Sequence, residues 1–401
     1  MKKTISFILV ALLLCGTMLL TACDSNSKAK KENEQKITEA STQPGEETTA
    51  DTTGTTENPI NPDDVAGSTG LSYQVNADGK TCTIKGIGTC TDTDVIIPKV
   101  IDGYTVTSIW EISNCATITS VIIPDSVTDI QGCAFENCPL LAKVTIGKNV
   151  TSIGPYAFAE CNSLTEITIP DNVTTVHENV FKNCTGLTAA IIGNGVTSIG
   201  TSMFSGCTQL KNIVLGNSVT SIDDYAFEDC ASLESIVIPN HVKSIGNNAF
   251  RNCTGLTSVT IGNDVTSIGN GAFDGCKKLT SIAIPDSVAS IGEFVFYDCN
   301  ELISVTLGSN VKSIGKWAFV NTNITDIIIS SSVTNIGELA FGRYVPLQNI
   351  YYCDTATSWA MIHIDPKNDA LTSATIYYYS ASQPATSGNY WRYVNGVPTA
   401  W

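Results

Sequence analysis

The chain has 401 residues, 43% of them hydrophobic, and a formal net charge of −16 at pH 7. This length and hydrophobic content are ample for a large folded region. The acidic balance argues against nucleic acid and anionic lipid as partners, because both are bound by clustered basic side chains.

The first predicted element is a targeting segment at residues 1–22. Two lysines precede an apolar stretch at 5–20, and the tetrapeptide LTAC that follows, ending at Cys23, resembles a bacterial lipobox. The resemblance implies cleavage before Cys23 and attachment of diacylglycerol to its thiol. An uncleaved signal anchor is the alternative, since the stretch is nearly long enough to span a bilayer. Both interpretations place the rest of the chain outside the cytoplasm, at the cell surface.

Residues 23–68 form the next segment, which is rich in Thr, Glu, Ser, Asn and Lys and has almost no large apolar side chains. Such a composition cannot bury enough surface to offset the entropy lost on ordering. We therefore predict a flexible tether that holds the folded part away from a membrane.

After a predicted amino-terminal cap at 69–110, residues 111–346 carry an internal repeat. Phenylalanine recurs every 23 residues from Phe135 to Phe319, then once more at Phe341, and cysteine keeps the same interval from Cys115 to Cys299. A fixed period of this length is typical of a solenoid, in which equivalent side chains of successive coils lie above one another.

Aligned on this period, each coil reads L-x-x-I-x-I-[PG]-x-x-V-T-x-I-G-x-x-A-F-x-x-C. The first segment predicts a short parallel strand, the second another extended piece, and the last a helical or 3₁₀ turn that returns the chain. The fold class predicted is therefore a β-rich solenoid, a right-handed superhelix of about ten or eleven coils capped at both ends. Its core would consist of ladders of Leu, Ile, Val, Ala, Phe and Cys.

The repeat I-P-x-x-V-T-S-I-G-x-x-A-F-x-x-C resembles the BspA-type leucine-rich repeat of bacterial surface proteins. The stretch 75–109 resembles the amino-terminal caps of that family, and the stretch 376–401 its carboxy-terminal units. The resemblance implies a secreted or surface-bound recognition protein, often adhesive, with no catalytic residues to carry over. Its partners would be host or bacterial surface proteins.

Catalytic and cofactor motifs are not found in the sequence. There is no His-Glu-x-x-His, no Gly-x-Ser-x-Gly, no phosphate-binding loop and no Gly-x-Gly-x-x-Gly opening a helix. We expect a non-enzymatic protein without a cofactor. We also expect no metal site, because a ladder supplies one sulfur per coil, whereas zinc needs ligands that converge on one point.

The cysteines raise the question of disulfides, which are permitted outside the cytoplasm. Stacked equivalent positions rarely meet the dihedral angle that a disulfide needs, so we do not expect bonds within the ladder. Cys82 and Cys90 bracket a predicted hairpin in the amino-terminal cap and form the best-placed pair.

The predicted strands leave one outward position between two inward ones, and these positions form a stripe of apolar and threonine side chains. The stripe is either a protein-binding face, since long apolar strips are rarely left bare, or a simple result of the strand propensity of β-branched residues. We predict the binding face. Its residues are Ile122, Thr145, Thr168, Ile191, Val214, Val237, Thr260, Ala283, Thr306 and Ile328.

The last segment, 347–401, contains Trp359, Trp391, Trp401 and a run of tyrosines. Exposed aromatic rings stack on sugars, which predicts a carbohydrate-binding or polysaccharide-handling end. The alternative is that these rings cover the apolar cross-section of the last coil. A passive surface spacer with no specific ligand is a third interpretation of the whole chain.

Overall fold

The computed structural model describes residues 66–342 and 344–401. The predicted signal peptide, Cys23 and the tether as far as residue 65 lie outside the described residues. Within the described ranges, no helix is both long enough and apolar enough to cross a membrane.

A first series of short parallel strands runs along the stack, one strand per coil. Alternation of side chains sends Ile236 into the core and Val237 outward, and Ser235 lies opposite Ser258, 23 residues later. The strands of this series are β3 (Asp94–Ile96), β6 (Ser120–Ile122), β8 (Lys143–Thr145), β10 (Glu166–Ile169), β12 (Ala189–Ile192), β14 (Asn212–Val214), β16 (Ser235–Val237), β18 (Ser258–Thr260), β20 (Ser281–Ala283), β22 (Ser304–Thr306), β24 (Asp326–Ile329), β26 (Asn349–Tyr352) and β28 (Thr375–Tyr379).

A second series of parallel strands occupies another side of each coil and comes from the V-T-x-I segment. In this series Ser221 lies opposite Ser244, and the isoleucine that follows each of them points into the core. The strands are β5 (Tyr104–Ile109), β7 (Asp129–Ile130), β9 (Ser152–Ile153), β11 (Thr175–Val176), β13 (Ser198–Ile199), β15 (Ser221–Ile222), β17 (Ser244–Ile245), β19 (Ser267–Ile268), β21 (Ser290–Ile291), β23 (Ser313–Ile314), β25 (Asn335–Ile336) and β27 (His363–Ile364).

Both ends of the stack carry additional elements. At the amino end β2 pairs with β1 in an antiparallel hairpin and with β5 in parallel, and at the carboxy end β29 pairs with β28 in parallel and with β30 in a hairpin. These additional elements are β1 (Ser72–Val75), β2 (Thr81–Gly86), β4 (Val100–Ile101), α1 (Ala356–Trp359), α2 (Asp369–Ser373), β29 (Tyr390–Val394) and β30 (Val397–Ala400).

The core is built from ladders of identical side chains. The ten phenylalanines of the ladder, which recur from Phe135 to Phe341 at the repeat interval, are fully buried. Neighbouring rings of the ladder stack with centroids 4.9–5.8 Å apart and interplanar angles of 3–24°. Each ring therefore fills the space between the rings above and below it. The predicted solenoid with phenylalanine and cysteine ladders is confirmed.

The third side of each coil returns the chain through hydrogen-bonded turns rather than a regular α- or 3₁₀-helix. Two residues of each such segment have left-handed backbone angles, for example Tyr225 (φ 58°) and Asp229 (φ 59°). These residues turn the intervening peptide planes along the stack, so the Phe227 N–H donates to the Ala249 carbonyl of the next coil at 2.7 Å. The coils are thus joined by backbone hydrogen bonds on this side as well.

The solenoid has about thirteen turns, slightly more than the ten or eleven predicted. The difference arises at the ends, because the amino-terminal cap supplies β3 and β5, and the carboxy-terminal segment supplies β26, β27 and β28, all in register with the repeats. The segments predicted as caps therefore extend the stack before they close it.

Candidate functional site

The predicted stripe of outward side chains lies on the first strand series, as expected, and its exposure varies along the stack. The five central positions, from Thr168 to Thr260, are exposed, whereas the positions nearer the two ends are half-buried. The most exposed apolar members are Ile191 (49%), Val214 (59%) and Val237 (68%), which belong to three consecutive coils. We call the surface formed by Thr168, Ile191, Val214, Val237 and Thr260 the strand face.

Two grooves mark the strand face. One, of about 760 Å³, is lined by Val214, Val237 and Thr260 and bordered by Asn240 and His241. The other, of about 390 Å³, is lined by residues of the two preceding coils and shares Val214 with the first. The exposed apolar side chains therefore lie along depressions of the surface, where an incoming side chain has several neighbours to contact.

The first strand series is interrupted at the larger groove and at two other places. Its strands form four separate sheets, with breaks between β8 and β10, between β14 and β16, and between β18 and β20. The inward residue Ile213 of β14 is half-buried, whereas its equivalent Ile236 is only 3% exposed. At the break between β14 and β16, apolar surface of the core row is accessible beside the outward row.

Polar groups flank the strand face without a dominant charge. The position at the start of each strand holds Ala189, Asn212, Ser235 and Ser258 on the central coils. Charged residues at this position are Glu166, at the edge of the strand face on the coil of Thr168, and Lys143 and Asp326 further out, and all three are exposed. A near-neutral apolar strip with a small polar rim has the composition of many protein interfaces.

The carboxy-terminal hairpin covers the far end of the stripe. Val397 and Pro398 of β30 line a cavity of about 320 Å³ together with Thr306, Ile328 and Tyr351. This is why the last members of the predicted stripe are half-buried, and it leaves the central coils as the accessible part.

The cysteine ladder has a structural role that the sequence indicated only in part. The eight thiols from Cys138 to Cys299 are fully buried, and each sulfur lies near the phenylalanine-position carbonyl of the preceding coil, for example Cys230 Sγ to Phe204 O at 3.2 Å. Burial raises the pKa of Cys138 and of Cys207 to about 12. Such thiols are poor nucleophiles, because the reactive species is the thiolate.

The predicted disulfide between Cys82 and Cys90 is wrong, because both are free thiols. Cys82 lies inside β2, fully buried, with Val75 of β1 on one side and Val106 of β5 on the other. The partner of β2 in the hairpin is therefore the strand before it, not the segment that contains Cys90.

The carboxy-terminal aromatics act mainly as a cover, and Trp391 is not available to a sugar. Its ring is fully buried, and its indole N–H donates to the Tyr352 carbonyl at 2.9 Å. The ring also makes edge contacts with Tyr351, Tyr379 and Tyr393 at 4.9–5.5 Å. For Trp391, the interpretation that the aromatic rings cover the last coil is therefore the correct one, and stacking of this ring on a polysaccharide is ruled out.

Two features of the described residues were missed by sequence reasoning. Asn368, 4% exposed, closes the stack: its side-chain oxygen accepts from the Phe341 N–H at 2.8 Å, and its amide donates to the carbonyls of Gly337 and Asp365. The second is an aromatic pair on the return turns, the exposed Phe294 and the half-buried Trp317, whose rings stack 5.9 Å apart. The signal for this pair was available, because both occupy the same slot of the repeat.

No group of three or more His, Cys, Asp or Glu side chains in the described ranges is arranged to hold a metal ion. Of the three histidines, His241 borders the larger groove, His177 is exposed on a turn, and His363 contacts Asp365 at 3.0 Å. None of them lies in a cluster with a nucleophile.

These features define a class of protein: a parallel β-solenoid of short leucine-rich coils with a solvent-exposed strand surface. The model of the BspA type leucine rich repeat region matches residues 111–234 and 220–348, more than half of the chain. The chain belongs to this family.

Solved structures provide further similarities. A leucine rich cell surface protein from Faecalibacterium prausnitzii is 29% identical over 74% of this chain and 97% of that chain, with a TM-score of 0.47. A leucine-rich repeat protein from Bacteroides ovatus is 27% identical over 72% of this chain and 88% of its own, also with a TM-score of 0.47. No protein of curated function matches the chain.

Proposed function

We propose that this protein is a non-catalytic surface protein that binds host or bacterial surface proteins through its strand face. The observation that carries the proposal is the row Ile191, Val214 and Val237, exposed on three consecutive coils beside a groove of about 760 Å³. Soluble monomers rarely expose a large apolar patch, and where such a patch has a polar rim it usually marks an interaction site. Membership of the family favours the same protein-binding role.

The test compares two triple variants of residues 66–401. In the first, Ile191, Val214 and Val237 are replaced by lysine, which puts three positive charges on the strand face. In the control, Thr174, Thr197 and Thr220 are replaced by lysine; these threonines are exposed beside the second strand series. Lys243 and Lys312 occupy the equivalent slot of other coils, so the fold accepts lysine there.

The readout is retention of fluorescently labelled protein on intact epithelial cells and on intact bacteria, measured by flow cytometry. We expect the control to bind like the unmodified chain and the strand-face variant to lose binding. Pretreatment of the target cells with protease should abolish retention if the partners are proteins. Equal retention of the two variants would show that the strand face is the wrong site.

The proposal includes a lipid anchor at Cys23, which rests on the lipobox resemblance of the tetrapeptide that ends there. An anchor followed by a tether of polar residues would hold the solenoid outside the membrane with its strand face accessible. Metabolic labelling with an alkyne fatty acid should mark the full chain, and Cys23→Ala should remove the label. Equal labelling of both would contradict the anchor.

A further inference from the structure

On the third side of the solenoid, one slot of the return turn forms a column along the stack. This slot precedes each ladder phenylalanine by two residues and has a left-handed backbone in every coil from Cys133 to Leu339. In three consecutive coils it holds Gly271, Phe294 and Trp317. Because Phe294 and Trp317 are stacked 5.9 Å apart at an interplanar angle of 16°, one face of the Phe294 ring is covered by Trp317.

The other face of Phe294 looks towards the coil of Gly271, which has no side chain to cover it. A cavity of about 350 Å³ lies there, lined by Phe294 and Gly271 and by residues of the two preceding coils. The side chain of Phe294 is 38% exposed. The pair of stacked rings therefore ends at Phe294, and the absence of a side chain at Gly271 leaves a notch with an aromatic wall. Its volume is at the lower end of the range of ligand pockets, about 300–1,000 Å³.

The remaining lining of the notch is polar and contains both hydrogen-bond donors and acceptors. Asn248, Asn270 and Arg251 supply N–H groups, and Asp274 and Glu293 supply carboxylates. Arg251 is held in place by two ion pairs, Nε to Asp274 at 3.3 Å and Nη1 to Glu228 at 3.5 Å. These planar groups surround an apolar ring face, which is the arrangement that a ligand with one apolar face and a hydroxylated edge requires.

From this geometry we propose that the notch between Gly271 and Phe294 binds a single pyranose unit of a glycan, with the C–H face of the sugar on the Phe294 ring. A neutral polyol is favoured over a cation because a cation would use only the carboxylates, whereas hydroxyl groups also accept from Asn248, Asn270 and Arg251. The site is separate from the strand face. The shallow notch and the small ligand correspond to a dissociation constant on the order of 1 mM.

The experiment uses saturation-transfer NMR on the full chain, with methyl β-glucopyranoside, methyl β-galactopyranoside and methyl α-mannopyranoside as probes and tetramethylammonium as the cationic comparison. At least one pyranoside should receive saturation from the protein. Phe294→Ala should weaken that binding at least tenfold. Tyr225→Ala, which removes a ring from the same slot two coils before the notch, is the matched control and should bind normally.

Gly271→Tyr should abolish binding, because the tyrosine side chain would fill the notch. Tyr225 has the same left-handed backbone in this slot, and the nearest atom to an added Cβ is the Asn248 side-chain oxygen, which must move aside. Should that variant fail to fold, Phe294→Ala decides alone. Glu293→Gln should change pyranoside binding less than threefold, because the amide still accepts a hydrogen bond.

Three results would overturn the proposal: no saturation of any pyranoside, undiminished signals in Phe294→Ala, or binding of tetramethylammonium alone with loss in Glu293→Gln. The last would identify a cation site instead. The strand-face lysine variant should keep full pyranoside binding, so a failure of the strand-face proposal can be distinguished from a failure of the pyranose proposal.

Discussion

The two strand series come from one repeat, yet their outer surfaces differ. The second series forms long ladders, including an unbroken eight-stranded sheet from β13 to β27, and its outward threonines bond to the preceding coil, as when Thr220 Oγ1 donates to the Thr197 carbonyl at 3.0 Å. The first series is divided among four sheets and exposes Ile191, Val214 and Val237. On the second series the outward hydroxyl groups are paired within the solenoid, whereas on the first series apolar side chains are exposed to water.

This contrast indicates how a repeat protein separates stability from recognition. Inward positions are uniform because each coil must bury the same ladder, and every coil contacts only its neighbours. Outward positions of the first series are free to vary, and their variation places the most exposed apolar residues on the central coils.

The largest expected effect is alkaline unfolding of the thiol ladder. Burial raises the pKa of Cys138 and Cys207 from 9.0 to about 12 and raises the pKa of the other buried ladder thiols as well. Above pH 9 the unfolded chain has lost these protons and the folded chain retains them, so the free energy of unfolding falls as pH rises. Each thiol that keeps its proton only in the folded chain lowers the free energy of unfolding by about 1.4 kcal/mol per pH unit, and the eight thiols act in the same direction.

Circular dichroism and thiol titration from pH 7 to 11 check this prediction. We expect constant stability below pH 8.5 and cooperative unfolding near pH 10, with all ladder thiols becoming reactive together. The variant Cys207→Ala should reduce the pH slope by one proton. A stability that does not change up to pH 11 would mean that these thiols are not buried.

The next effect concerns a ladder ring. Phe227→Ala should lower the free energy of unfolding by about 3–5 kcal/mol, the usual loss for truncating a buried aromatic side chain. The ring is fully buried and stacks on Phe204 and Phe250 at 5.5 and 5.2 Å. Urea denaturation measures the change, with Tyr225→Ala as the control because Tyr225 is exposed. An unchanged unfolding midpoint for Phe227→Ala would contradict the buried ladder.

A smaller effect is expected at the carboxy end. Asn368→Ala leaves the buried Phe341 N–H without its side-chain partner, which should cost about 1–3 kcal/mol, whereas the Gly337 carbonyl still accepts from the Ala340 N–H. Hydrogen exchange should show faster opening of the last coils than of the first. Asn172→Ala, which loses an exposed 2.7 Å bond to the Lys148 carbonyl on a middle coil, is the control and should change stability less. Equal effects of the two changes would show that Asn368 does not close the stack.

The smallest effect on stability is expected from the two lysine triplets. All six replaced side chains are exposed, so each variant should unfold within about 1 kcal/mol of the unmodified chain. Differential scanning calorimetry provides the comparison. A large loss in the strand-face variant alone would mean that Ile191, Val214 and Val237 support the fold rather than binding.

Much of the fold could be predicted from sequence because the period of Phe and Cys reports directly on burial. The return turn could not, since the left-handed slot two residues before each ladder phenylalanine holds eight different residue types between Cys133 and Leu339, and no shared type marks the backbone angle. The cap Asn368 acts on Phe341, 27 residues earlier, and local patterns do not contain that contact. The Cys82–Cys90 prediction failed because β2 pairs with the strand before it.

For the candidate sites, too, one part could be predicted from sequence and another part required the folded structure. The outward stripe follows from strand alternation, but its exposure does not, because the carboxy-terminal hairpin covers Thr306 and Ile328 and only the folded chain brings β30 there. When the coils are aligned with one another, Gly271 is visible as a residue without a side chain in the slot that holds Phe294 and Trp317 in the next two coils. Its cavity depends on the stacking of Phe294 against Trp317, which requires three-dimensional structure.

Hydrogen exchange along the two strand series tests the central contrast most directly. We expect the amides of β15 and β17, in the unbroken sheet, to exchange only on global unfolding. Those of β14 and β16, beside the break and the larger groove, should exchange at least about tenfold faster through local opening. Equal protection of the two series would contradict the account.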